Sequence, residues 1–286
     1  MKHYRVLNLG AGVQSTAIFL MLADGELPAV DFAVFADVGD EPEFVYDHLR
    51  YLIGLNVMPV HICSQGRLGD DLICGQNSSG GGGGRFVSIP AHLSADDDGQ
   101  ATAIGRRQCT AEYKIRPIEK KIRELVGATP GRPLPQGVTV TQVFGLSFDE
   151  PRRVDRVRTQ FANRKQWAAE FPLFNDFVTR ADCVRYLEKR LPDRQVPRSA
   201  CVFCPYKSDD EWLLLRQTDP AGWQRAVEID RAIRDKTSVC TQGMQSAQYL
   251  HRSCTPLELV QLNPSAPDRQ KKMIWSDMDC EGMCGV

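Results

Sequence analysis

The first sixty residues alternate short apolar runs with stretches whose apolar positions fall three and four apart. Residues 4–9 (YRVLNL) predict a strand, and 15–24 (STAIFLMLAD) a helix that stops at Gly25. Residues 31–36 (DFAVFA) predict a second strand. Apolar positions at Phe44, Val45, Leu49, Leu52 and Ile53 predict a helix over 43–53, and residues 57–62 a third strand. This β-α-β-α-β alternation argues for a parallel sheet with crossover helices.

Regularity lapses over 64–105, where five consecutive glycines close the SSGGGGG segment at 78–84 and ADDDGQ follows at 95–100. A stretch this long predicts a lid near a site, the alternative being a flexible insert. Helical spacing returns at Ala111, Ile115, Ile118, Ile122 and Leu125, with Pro117 expected in the first turn, where its missing N–H costs little. Residues 138–146 predict a strong strand, and helices are expected at 179–190, 208–217 and 221–235. Ser208 and Glu211 have the spacing of a capping box. The last 45 residues are irregular and end in DCEGMCGV, and no repeat is evident. The expected fold is α/β, a doubly wound, mostly parallel sheet over 1–165 with the Gly-rich lid at 64–105. An irregular, helical, cysteine-bearing region fills 166–286.

Composition narrows the function classes. The 286 residues are 42% hydrophobic and 25% charged, as in ordinary globular chains. A net charge of -1 excludes a generic polyanion binder and leaves only local basic patches. No run of about 18 apolar residues suggests a membrane span, and the N-terminus lacks a signal-peptide pattern. The expected location is the cytoplasm, with no membrane partner. Ten cysteines are many for a reducing compartment, where structural disulfides are not expected. Cys63, Cys74 and Cys183 read as small buried hydrophobes.

Three places carry candidate chemistry. The first is Leu9-Gly10-Ala11-Gly12-Val13-Gln14-Ser15-Thr16, between a strand and a helix. Small residues at 10–12 let the backbone approach an anion, successive N–H groups can form a nest, and the helix adds its N-terminal partial charge. Ser15 and Thr16 add hydroxyls. It is neither a Walker loop nor a dinucleotide fingerprint; the plain alternative is a tight turn. The second is Asp37, at a strand's C-terminal end, where open α/β sheets place ligands; the plain alternative is a turn cap. The third is Cys201-x-x-Cys204, whose spacing suits zinc, a redox dithiol or an iron–sulfur cluster. Its position late in the chain disfavours a thioredoxin-like dithiol.

The loop at 10–15 resembles the S-G-G-x-D-S loop of the N-type ATP pyrophosphatases, with Gly10, Ala11 and Gln14 departing from the usual Ser, Gly and Asp. Further segments follow in the order of the phosphoadenosine-phosphosulfate (PAPS) reductase family. They are A-D-V-G-D-E at 36–41, R-R-Q-C-T-x-x-Y-K-I-R-P-I at 106–118, G-L-S-F-D-E-P-R-R at 145–153 and S-A-C-V-F-C-P-Y-K at 199–207. The resemblance covers roughly residues 6–215. It is greatest to the ATP pyrophosphatases of bacterial DNA phosphorothioation systems.

The resemblance implies an adenine nucleotide alpha hydrolase-like fold that binds ATP and Mg2+. Gly10 through Thr16 and Asp37 would hold the nucleotide, and Ser15, Asp37, Arg152 and Arg153 would serve catalysis. It also implies a [4Fe–4S] cluster on Cys109, Cys201 and Cys204. Gln108–Cys109 stands where some members have two cysteines, so a fourth ligand is sought in the tail at Cys284 or Cys280, or the position is open. Basic runs lie at 106–123, with seven Lys and Arg, and at 152–165, with six. The first reads partly as a solvated helix face. Arg152 to Arg158, beyond a strand end, suit phosphates.

The implied activity is ATP pyrophosphatase adenylation of an acceptor for sulfur insertion, in DNA phosphorothioate modification. The implied partners are a cysteine desulfurase or other sulfur donor, DNA or other DNA-modification proteins, and a second copy in a homodimer. Alternatives are a PAPS or adenosine-phosphosulfate reductase, whose tail histidine is missing here, a tRNA thiolation enzyme, and a non-catalytic nucleotide-binding iron–sulfur adaptor.

Overall fold

The computed structural model describes residues 1–74, 88–94, 101, 103–234 and 246–263. The chain opens with β1 (Lys2–Asn8), α1 (Val13–Ala23), β2 (Phe32–Asp37), α2 (Glu43–Gly54), β3 (Val60–Ser64) and α3 (Leu68–Cys74). Short strands β4 (His92–Ser94) and β5 (Ala103–Ile104) follow, then a π-helical stretch (Ala111–Ile115) that runs into α4 (Arg116–Leu125). Next come β6 (Val138–Val143), α5 (Pro151–Phe161), β7 (Trp167–Glu170), α6 (Pro172–Asn175) and α7 (Arg180–Arg190). Among the described residues there follow α8 (Asp209–Thr218), α9 (Pro220–Arg234), β8 (Ala247–Tyr249) and a 3-10 turn (Leu257–Leu259).

Five strands form one parallel sheet in the order β3-β2-β1-β6-β7. The chain winds outward from β1 to β3, then crosses back to lay β6 and β7 on the other side of β1. The carboxyl ends of β1 and β6 therefore flank the topological switch point, where doubly wound sheets leave a crevice. Alternation along the strands splits the core in two. Leu7, Leu9, Ala33, Phe35 and Val143 pack with α1, α2 and α7 on one face. Val6, Phe32, Val34, Ala36 and Val140 pack with Ile118 and Ile122 of α4 on the other. Helix α1 is buried from Val13 to Leu20 without a polar stripe, as expected of a helix closed in by a sheet and a second helix layer.

The sheet runs past residue 165, because β7 pairs with β6 from Val140↔Trp167 to Val143↔Glu170. The basic stretch 149–165 contains α5, whose buried Val154 and Val157 are too few to mark it in a run of arginines. Pro117 sits in the first turn of α4, as expected, but α4 continues a helical run that starts at Cys109. A proline ring at 117 collides with the carbonyl four residues back in a regular α-helix, and the wider π turn at 111–115 lies just before it. Such single-turn π segments often occur at functional sites.

Within 64–105, residues 68–74 form α3, while β4 joins β5 and β8 in a small antiparallel sheet. The glycine run at 78–84 lies outside the described residues. A third core unites Val38, Leu68, Ile89 and Tyr113 with Val202, Phe203, Trp212, Leu215, Ile229 and Leu250. The later helices are thus seated on the loops that leave β2 and β3. Asp40 fastens this junction. Its carboxylate accepts from Gly69 N at 2.7 Å, Arg67 at 3.1 Å and Arg225 at 3.2 Å, and its carbonyl accepts from Val202 N at 2.8 Å. The capping box expected at Ser208 and Glu211 is present, with Ser208 N donating to Glu211 Oε2 at 2.8 Å. No helix among the described residues is long and apolar enough to cross a membrane.

Candidate functional site

Residues 10–16 turn from the end of β1 into α1. Ala11 holds φ +53°, a left-handed conformation that glycine adopts freely and that costs an L-residue roughly 1 kcal/mol. The turn is locked from inside. Ser15 Oγ accepts from the amides of Gly10 and Gly12, each at 3.2 Å, and lies 3.2 Å from the Gly12 carbonyl. Thr16 Oγ1 is 3.0 Å from Nε2 of buried His48. Burial, with help from Arg194, lowers His48 to about 4, so its ring is neutral near pH 7.

Gln14 does not face solvent. Its Nε2 donates to Glu150 Oε2 at 3.1 Å and lies 3.5 Å from Ser147 Oγ, while Arg180 donates to its Oε1 at 3.2 Å. Glu150 also accepts from the Ser147 amide at 3.0 Å and hydroxyl at 2.9 Å, and pairs with Arg153. This network bridges the two loops at the switch point. They meet closely: a Cβ on Gly145 would come within 3.0 Å of Ser15 N.

Asp37 ends β2. Its Oδ1 accepts from Gly39 N at 2.8 Å and Tyr46 OH at 2.7 Å, so the turn-capping geometry is present. Burial and the bond to Asp37 raise the Tyr46 phenol well above its usual range. The paired arginines part company. Arg153 is turned inward onto Glu150, while Arg152 is exposed on α5. Beside them Phe148 and Phe177 are 41% and 70% exposed, with ring centroids 5.1 Å apart.

Cys109, Cys201 and Cys204 come together despite the 92 positions between the first two. All three line one pocket, together with Arg107, Pro205 and Tyr206 and with Val38, Leu68, Ile89 and Phe203. A hydrogen bond with Cys204, then burial, raises the Cys201 thiol well above its ordinary range. The segment is braced by Arg198, which donates to both Glu211 oxygens at 2.8 Å and to the Tyr206 carbonyl at 3.1 Å. His92 Nε2 sits 3.3 Å from the Pro205 carbonyl, tying β4 to the same loop. Gln108 is a strap rather than a fourth thiol: its Oε1 accepts from Ser88 N at 3.3 Å. Cys280 and Cys284 lie outside the described residues, as does the side chain of Cys74. Cys63 and Cys183 pack in the cores, and burial pushes their thiols up to about 11 and about 12.

Among the described residues no group of three His, Cys, Asp or Glu side chains is drawn tightly enough to hold a metal ion. The donor chemistry of the pocket nonetheless fits a thiophilic metal or cluster: three thiols share one apolar recess, and thiolates are the ligands of zinc and iron–sulfur centres.

A second cleft lies over the carboxyl ends of β1 and β2, lined by Leu9, Gly10, Phe35, Ala36, Lys114, Ile118 and Ser199. Lys114 lines both clefts and donates to Glu41 at 3.1 Å. Sequence reasoning placed Lys114, Glu150 and Ser199 inside motifs without assigning them roles. No periodicity marks them: Lys114 meets Glu41, Glu150 meets Gln14 and Ser199 lies against Gly12, each across a long stretch of chain. Comparison with family models, curated proteins and solved structures gave no match.

Proposed function

We propose that the chain is an ATP pyrophosphatase of the adenine nucleotide alpha hydrolase-like class, belonging with the PAPS reductase-like enzymes. In this reading it adenylates an oxygen of an acceptor so that sulfur can replace it, the acceptor being DNA in phosphorothioate modification. The observation that carries the reading is that the cleft beside the 10–16 loop and the three-cysteine pocket adjoin: Lys114 lines both, and Ser199 of the first is followed in the chain by Ala200 and Cys201 of the second.

The acceptor oxygen attacks the α-phosphorus of ATP and expels pyrophosphate. A sulfur nucleophile then displaces AMP, and the phosphoryl oxygen leaves with it. The first-turn amides of α1, from Val13 to Ser15, and the helix N-terminal partial charge would stabilise charge on the phosphates. Ser15 shapes the nest by holding the amides of Gly10 and Gly12. Lys114, which lines both clefts and is held by Glu41, would offset negative charge on a ligand there. Asp37, fixed by Tyr46 and Gly39, stands at the β2 end beside the nucleotide, and Mg2+ would offset the remaining phosphate charge. Arg152 is offered to an acceptor phosphate, while Arg153 positions Glu150. Cys109, Cys201 and Cys204 would hold a [4Fe–4S] cluster, which when bound would supply a site for sulfur. A cysteine desulfurase is the fitting donor.

The test is pyrophosphate release from ATP by the purified protein and by Gly12→Val combined with Ser15→Ala. A Cβ at Gly12 already meets Ser199 N at 3.4 Å and Ser199 Cβ at 3.5 Å, so a valine would crowd the cleft. The expected result is loss of pyrophosphate release with the melting transition retained. Wild-type protein that binds ATP yet releases no pyrophosphate would overturn the reading in favour of a nucleotide-binding adaptor.

A further inference from the structure

Ser199 comes from the segment that leads into Cys201, far in sequence from the anion loop, yet it lies directly over Gly12. The residue is 5% exposed. Its Oγ is buried and makes no hydrogen bond with any described residue. An unmet buried hydroxyl costs on the order of 1–3 kcal/mol, so such a group calls for a partner. The hydroxyl of the loop beneath it, Ser15, is already engaged by the amides of Gly10 and Gly12. Ser199 lines the cleft with Gly10 and Lys114. A ligand entering there would have the α1 N-terminus, the Lys114 ammonium and Ser199 within one cleft. The group that suits all three is a phosphoryl oxygen, which accepts from each.

We propose that Ser199 is a phosphate-positioning residue, donating from Oγ to a phosphoryl oxygen of the nucleotide held over residues 10–16. The inference rests on the nucleotide reading above. It assigns to the C-x-x-C segment a part in nucleotide binding, because the hydroxyl stands two residues before Cys201. Nucleotide would then clamp that segment onto the loop.

The test is calorimetric binding of α,β-methylene-ATP with Mg2+, of adenosine, and of adenosine 3′,5′-bisphosphate to full-length wild type, Ser199→Ala and Ser199→Thr. The expected result is a loss of about tenfold or more in affinity of Ser199→Ala for the ATP analogue, as for a hydrogen bond to a charged group. Adenosine affinity should be unchanged, and Ser199→Thr should recover most of the loss. Equal analogue affinity in wild type and Ser199→Ala would overturn the proposal while leaving the ATP reading intact. An equal loss for adenosine and the analogue would also overturn it, since the residue would then shape the cleft rather than hold phosphate. If wild type takes only the bisphosphate and Ser199→Ala weakens that, the phosphate contact stands and the pyrophosphatase reading falls.

Discussion

Gln14 donates to Glu150 at 3.1 Å across the seam between the loops that follow β1 and β6. Glu150 in turn pairs with Arg153, and Gln14 accepts from Arg180. An amide at position 14 is the residue this neighbourhood favours, since it gives a donor to the carboxylate and an acceptor to the guanidinium.

Replacing the amide by its isosteric acid tests this. Gln14→Glu sets a second carboxylate against buried Glu150. Like charges this close keep one carboxyl protonated and raise its pKa. A raised carboxyl costs stability above that pKa and costs nothing once both states are protonated. Gln14→Glu should therefore lose about 1–3 kcal/mol at pH 8, a fall of about 2–12 °C in melting temperature for a chain of this size. The gap to wild type should close as the pH drops toward 5. Melting curves at the two pH values check it; a gap independent of pH would mean that the new carboxylate escapes to solvent.

The cysteines divide by environment. Under anaerobic purification, Cys109→Ala, Cys201→Ala and Cys204→Ala should each abolish the brown absorption and most bound iron. Cys63→Ala and Cys183→Ala should leave both intact, because those thiols pack in the cores. Iron and sulfide analysis with an absorption spectrum decides the matter. Zinc without iron in wild type would make the site structural.

His48 should make the fold acid-sensitive. Its folded value is lowered to about 4, against about 6.5 in an unfolded chain. The neutral ring is favoured in the folded state, so the stability it contributes is complete above pH 6.5 and is lost as the pH falls toward 4. The full loss is roughly 3 kcal/mol for a shift of this size. His48→Gln keeps a polar partner for Thr16 and should flatten the dependence over that window. Urea unfolding midpoints between pH 4 and 7 measure it; parallel curves for variant and wild type would assign the acid sensitivity elsewhere.

The α/β class was legible because buried parallel strands are continuous apolar runs, and FAVFAD is one. Ser208 and Glu211 announced their helix because a capping box is local chemistry. Helix α5 was hidden by its arginines, and β7 by its four-residue length. Residues 68–74 and 92–94 take structure from neighbours that arrive later, Ile229 and β8 among them, so a local reading saw only a lid.

The sequence by itself determined the small-residue turn at 10–16, the strand-end aspartate and the C-x-x-C pair, because each is a short motif whose residue types carry their own chemistry. The resemblance also grouped Cys109 with Cys201 and Cys204, which line one pocket; only the tertiary structure decided that Arg153 turns inward to Glu150 while Arg152 stays exposed, and that Ser199 covers Gly12. Those relations join segments up to 187 positions apart, as between Gly12 and Ser199. The physical reason is that strand order and helix seating, not local propensity, fix which loop ends share the crevice at the carboxyl edge of the sheet.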